Sequence, residues 1–123
     1  MASVLVVAIL GASPDPDRYA FKAQRLLQQS GHRVIPVSAR ASEIGGEHAF
    51  TTLAGITEPV DTLSVYVRPA ISSRTRADIL QLRPRRVIFN PGTENPSLRA
   101  ELSAAGIQCI EDCTLMMLRS GRF

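Results

Sequence analysis

Five apolar, β-branched stretches recur along the chain, at "VLVVAIL" (4–10), "RVIPV" (33–37), "TLSVYV" (62–67), "RRVIFN" (85–90) and "IQCIE" (107–111). The first is apolar without alternation, as a parallel strand covered on both faces requires. Helix-period segments separate them. Ala20, Ala23 and Leu27, with Tyr19 and Leu26, form a stripe that stops at Gly31. Leu98, Leu102 and Ala105 follow i, i+4, i+7, with Asn95 as the N-cap, Pro96 in the first turn and Gly106 as the stop. In "AISSRTRADILQL" (70–82) the expected sheet-facing positions are Ile71, Ala77 and Leu80, and "DCTLMMLRS" (112–120) reads as a short last helix opened by Asp112.

Strands alternating with helices predict a Rossmann-like, doubly wound α/β domain across residues 1–123, with a five-stranded parallel sheet between two helical layers. The expected strand order is 3-2-1-4-5. Its switch point lies at the carboxyl ends of the first and fourth strands. Gly11-Ala12-Ser13 and Asn90-Pro91-Gly92-Thr93 are therefore the candidate site residues by topology alone.

Composition narrows the function classes. With 45% hydrophobic and 20% charged residues over 123 positions, the chain has the balance of a soluble globular protein, expected in the cytoplasm. No apolar run approaches the ~20 residues that span a bilayer, and "MASVLVVAIL" reads as a first strand rather than a signal peptide. Cys109 and Cys113 lack a second pair, and His32 and His48 lie at no metal-site spacing from them, so two free thiols and no metal are expected. The net charge of +3 rests on arginine, Lys22 being the only lysine. Without a basic run interleaved with aromatics, nucleic acid is not the expected partner. Arginine's planar fork suits phosphate groups instead.

At the first turn, Gly11 permits a sharp bend and a close ligand approach. The helix start that follows favours an anion, with Ser13 as a donor and Arg18 within reach of a phosphate. The same residues equally make an ordinary strand-to-helix turn in which Ser13 caps the helix. The G-x-G-x-x-G fingerprint is absent, since Ala12, Ser13 and Pro14 follow Gly11. The second strand runs into "VIPVSAR", with Ser38 and Arg40 and no carboxylate for a ribose diol. A cation there matches a phosphomonoester on the ribose, as in NADP or coenzyme A, or is one more surface arginine. Arg68 and Pro69 follow the third strand on the same edge. No Ser–His or Cys–His arrangement is recognisable, and catalysis is not indicated.

"VAILGASPDPDRYAFKAQRLLQQSGHRVIPV", with "EIGG", "VDTLSVYVRP", "NPGTEN" and "IEDC", resembles the single-domain CoA-binding proteins. These are stand-alone relatives of the CoA-binding domain in succinyl-CoA synthetase α subunits. The resemblance runs from residue 4 to about 118. It implies that Gly11, Ala12, Ser13 and Arg18 surround the CoA diphosphate, and that Pro36, Val37 and Ser38 line the nucleotide crevice. It sets Arg40 in place of a family lysine at the ribose phosphate. Arg68 and Pro69 would border the nucleotide, with Pro91, Gly92 and Asn95 across the crevice. "VSAR" departs from the family's V-N-P-K. The phosphohistidine domain of succinyl-CoA synthetase has no counterpart here. The implied function is a non-catalytic carrier, sensor or regulatory module for CoA or acyl-CoA, with a homodimer as a possible assembly. The alternatives are a minimal NADP-dependent oxidoreductase and a protein-interaction module that has lost its ligand.

Overall fold

The computed structural model describes residues 3–123. Alternation along the first strand, β1 (Val6–Leu10), already separates two layers. Val7 and Ile9 join one buried cluster, and Ala8 and Leu10 the other. On the Val7 side, α1 (Tyr19–Gln29) packs with Ala20 and Leu27 against the sheet. Tyr19, expected in that stripe, is instead 65% exposed, and Gln24 is buried in its place. The Gln24 Nε2 donates to the Ile44 carbonyl at 2.9 Å, so a polar contact along the stripe anchors the segment after the second strand.

The chain continues through β2 (Arg33–Val37) into a small antiparallel ribbon, β3 (Glu43–Ile44) and β4 (Glu47–His48). A 3-10 turn at Leu53–Gly55 leads to β5 (Thr62–Val65). Then come α2 (Pro69–Ser72), a 3-10 turn at Ser73–Thr75, α3 (Arg76–Leu82) and β6 (Arg86–Phe89). The last elements are α4 (Pro96–Ala104), β7 (Gln108–Glu111) and α5 (Thr114–Arg119). Helices α3 and α4 cover the Ala8 face through Ile79, Leu98 and Leu102, while α5 lies beside α1 on the other. This is the expected doubly wound α/β architecture. No helix among the described residues is long and apolar enough to cross a membrane.

The sheet has five parallel strands in the order β2-β1-β5-β6-β7. Counted over the five long strands this is 2-1-3-4-5, not the expected 3-2-1-4-5. The switch point therefore lies between β1 and β5, beside the third long strand rather than the fourth. The physical reason is in β5 itself. All four of its residues are buried, including Thr62 and Ser64, and buried hydroxyls need partners. Thr62 finds Asp61 and Arg86, and Ser64 finds Asn90 and Thr114. Arg86 and Asn90, at the two ends of β6, reach these hydroxyls only because β5 lies beside β6, a pairing the order 3-2-1-4-5 does not contain.

A second correction concerns 70–82. The expected core positions Ile71 and Ala77 are exposed, Leu80 is half-buried, and Ile79 is fully buried. The tighter turn at Ser73–Thr75 advances the helical phase, which moves the core-facing position. The α4 reading holds in detail: the Asn95 Oδ1 accepts from the Leu98 N–H at 3.1 Å, and the helix ends at Gly106 with φ of 86°.

Candidate functional site

Three clefts run together along the carboxyl ends of the strands. The central one, about 480 Å³, is bounded by Gly11, Ala12, Ser13, Arg18, Ser38, Arg40 and Pro91, joined by Tyr19, Tyr66 and Thr93. A second, about 430 Å³, lies over β2 and α2 and shares Gly11, Ala12, Ser38 and Arg40 with it. A third, about 410 Å³, lies towards α5 and shares Tyr19, Tyr66 and Pro91 with the central cleft.

Gly11 makes the floor possible. Its φ is 88°, and a Cβ there would stand 2.7 Å from Val67 Cγ1 and 3.1 Å from the Tyr66 carbonyl carbon. Only glycine lets β1 and the exit of β5 approach so closely. The N–H groups of Gly11 and Ala12 both donate to the Val37 carbonyl, at 3.1 and 3.0 Å. These two donors therefore lock the turn to the end of β2 rather than face the cleft. Ser13 does not cap α1 either. Its Oγ accepts from the Asp15 N–H at 3.1 Å and tightens the loop.

The helix begins only at Tyr19, with Arg18 in the N-cap position and no side chain capping it. The first-turn N–H groups of Tyr19, Ala20 and Phe21 thus have no carbonyl partner in the helix. Among the described residues, the nearest carboxylate to the Arg18 guanidinium is Asp15 at 3.9 Å, both side chains being more than half exposed. The Arg40 guanidinium has no hydrogen-bond or ion-pair partner among the described residues. Its own N–H and that of Ala41 are held by the Ser38 Oγ, each at 3.2 Å. An anion at this place meets the free Arg40 guanidinium, an Arg18 held only loosely by Asp15, and a bare helix start.

The remaining expected residues divide. Val37 lines the second cleft. Pro36 is buried inside β2, its carbonyl accepting from the Phe50 N–H, and it borders none of the three clefts. Arg68 and Pro69 open α2, and Gly92 donates its N–H to Glu94 Oε1; these three also lie outside the clefts. Asn95 is spent on structure, because its Nδ2 reaches the Pro69 carbonyl and the Ser72 and Ser73 hydroxyls while its Oδ1 caps α4.

Several site residues were not anticipated. Tyr66 stands at the junction of two clefts. Burial pushes its phenol far above the ordinary tyrosine range, nearby Cys113 adds to this, and the neighbouring Ser64 and Thr114 hydroxyls oppose it. The ring is therefore a neutral wall at any working pH, and its hydroxyl is shielded without a close hydrogen-bond partner. Beneath it, Asn90 ties the region together: its Nδ2 donates to Ser64 Oγ and the Val65 carbonyl, and its Oδ1 accepts from the Thr114 N–H at 2.8 Å. Leu53, Ile71 and Arg74 add walls to the second cleft. The signal for Tyr66 was its place at the carboxyl end of a strand; the others depend on how distant segments fold back.

Comparison with known proteins agrees with the fold. The crystal structure of an uncharacterized protein superposes with a TM-score of 0.94 at 40% identity, covering 99% of this chain and 100% of that one. The structure of cell-free ID.343 from Thermus thermophilus gives 0.90 at 35% identity, covering 98% and 91%. Uncharacterized protein YneT of Bacillus subtilis (strain 168) is 32% identical over 62 residues, which are 50% of this chain and 46% of that curated relative. The matched stretch thus spans about half of that relative's length. The family model described as CoA binding domain matches residues 6–119. That match runs from the first strand through the last helix, and the chain belongs to the CoA binding domain family.

Proposed function

We propose that the crevice binds coenzyme A or an acyl-CoA as a non-catalytic carrier, sensor or regulatory module. The observation that carries this reading is the pair of arginines lining the central cleft, Arg40 without an ion pair among the described residues and Arg18 with only a long, exposed contact to Asp15. The diphosphate sits between Arg18 and the first turn of α1, where unsatisfied N–H groups favour negative charge. The ribose phosphate lies against Arg40. Adenine occupies the second cleft, over Val37, Leu53, Val67 and Ile71, and the pantetheine arm leaves past Tyr66 and Pro91. No histidine lines any of the three clefts: His32 accepts from the Leu5 N–H through Nδ1, and His48 stands on the ribbon. This supports a binding role over general acid–base chemistry.

Calorimetric titration with CoA tests the reading. Binding in the micromolar range is expected, weakened about tenfold in each of Arg18→Ala and Arg40→Ala, the loss of one charge-assisted contact. The absence of a carboxylate at the end of β2 also suits the ribose 2′-phosphate of NADP, so NADPH is titrated beside CoA. Tighter NADPH binding would reverse the order of the two ligands. No binding of either would favour a protein-interaction role.

A further inference from the structure

The crevice does not end at Tyr66. The third cleft adjoins the central one, Tyr19, Tyr66 and Pro91 bordering both spaces. Its walls are mostly apolar: two tyrosine rings, a proline ring, Leu115 and Met116, with the free thiol of Cys113 among them. Asn90 also borders it, but that side chain's polar atoms are already hydrogen-bonded within the protein. Tyr19 and Met116 are 65% and 49% exposed, leaving apolar surface uncovered at its lips.

One lining group breaks the pattern. Arg119, in the last turn of α5, borders the cleft. Among the described residues its guanidinium has no ion pair. The nearby acids Glu111 and Asp112 are already paired with Arg99 and Arg122. A ligand entering here covers apolar surface first and then meets an unmatched cation.

We propose that this third cleft holds the acyl group of an acyl-CoA and that Arg119 makes it prefer short acyl groups ending in a carboxylate. The inference rests on the CoA reading above and adds the class of acyl group. The apolar walls take the methylene chain, and the guanidinium takes the terminal carboxylate. A neutral acyl group of equal length gains only the first interaction.

The test is calorimetry of the parent protein at low salt with CoA, butyryl-CoA and succinyl-CoA, the last two having acyl groups of equal carbon number. Succinyl-CoA is expected to bind about fivefold tighter than butyryl-CoA, the upper range for a solvent-accessible ion pair. Added salt should shrink that ratio. Arg119→Gln should bring it close to one, and Met116→Glu, at an exposed position of the same wall, should invert it. Thermal unfolding identifies any variant that fails to fold. Equal affinities in the parent, or a ratio untouched by Arg119→Gln, would overturn the proposal. A parent that binds CoA without discriminating the acyl groups overturns this inference alone, whereas a parent that does not bind CoA overturns the CoA reading itself.

Discussion

At the amino ends of the strands, Arg33 pairs with Glu58 at 2.8 Å and Glu47 at 3.3 Å, and Arg85 pairs with Asp61 at 2.8 Å. Arg86 donates to the Thr62 hydroxyl and lies 4.4 Å from the Phe123 ring centroid. At the carboxyl ends, Arg40, Arg74 and Arg119 border the crevice without an ion pair among the described residues, and Arg18 has only a long contact to Asp15. Arg83, which ends α3 in a left-handed conformation, is the exception at the amino side. The same residue type thus ties the fold together at the amino end. At the carboxyl end these crevice arginines stay available, while Arg99 and Arg122, beyond the crevice, pair with Glu111 and Asp112. Self-paired cations gain their interaction on folding, whereas unpaired ones remain free to meet an incoming anion.

The carboxyl end pays for that availability with a tightly built floor, and Gly11→Ala is the sharpest way to break it. The new Cβ must enter a left-handed backbone conformation and displace Val67, which stands 2.7 Å from its ideal position. Both costs act together, and a loss of about 3 kcal/mol in urea unfolding is expected. Stability within 1 kcal/mol of the parent would mean that the exit of β5 shifts freely and that the floor is not rigid.

Asn90→Ala separates floor from rim. It leaves the buried Thr114 N–H and Ser64 hydroxyl short of partners, for about 2 kcal/mol of destabilisation. Arg18→Ala and Arg40→Ala, a short distance above, should unfold within about 0.5 kcal/mol of the parent while losing ligand affinity. If the rim variants proved as destabilising as Asn90→Ala, those arginines would belong to the fold and the contrast between the two ends would fail.

Much of this was legible from local patterns. Asn95, Pro96 and Gly106 bound α4 because capping chemistry is local, and the alternation of strands and helices requires a parallel sheet. The strand order was not legible. The link from Ser38 to Asp61 holds a ribbon and a 3-10 turn instead of a helix, so periodicity does not say on which side of β1 the next strand lands. Thr62 and Ser64 held part of the missing signal, since buried hydroxyls need hydrogen-bond partners and theirs include Arg86 and Asn90 at the two ends of β6. In the site, Gly11, Ser13, Arg18 and Arg40 were readable because they follow strand ends. Tyr66 reads as strand interior in the 62–67 stretch but lies one residue past where β5 stops pairing, and the α5 wall depends on a helix folding back over the strand ends. Asn95 shows another limit: its one amide serves as N-cap of α4 and as a clamp on α2, and sequence shows only the first role.

The smallest expected effect belongs to the amino end and is read by pH. Burial works against the Asp61 charge, but hydrogen bonds from Arg85 Nε at 2.8 Å and the Thr62 hydroxyl at 2.6 Å outweigh it and hold the carboxyl below its ordinary value. A carboxyl lowered in the folded state contributes stability above its unfolded pKa of about 3.9, and that contribution is lost as pH falls through the folded value. The unfolding free energy should therefore decline below about pH 4, with about 1 kcal/mol of the decline due to this partly exposed pair. Asp61→Asn should flatten that share of the acid limb and leave CoA affinity at neutral pH unaltered, since Asp61 lies at the opposite end of the sheet from the crevice. An acid limb identical in parent and variant would move the acid sensitivity to another carboxylate, such as Asp112, which its hydrogen bond from Arg122 also holds low. The amino end would then owe its stability to packing around Arg86 rather than to its paired charges.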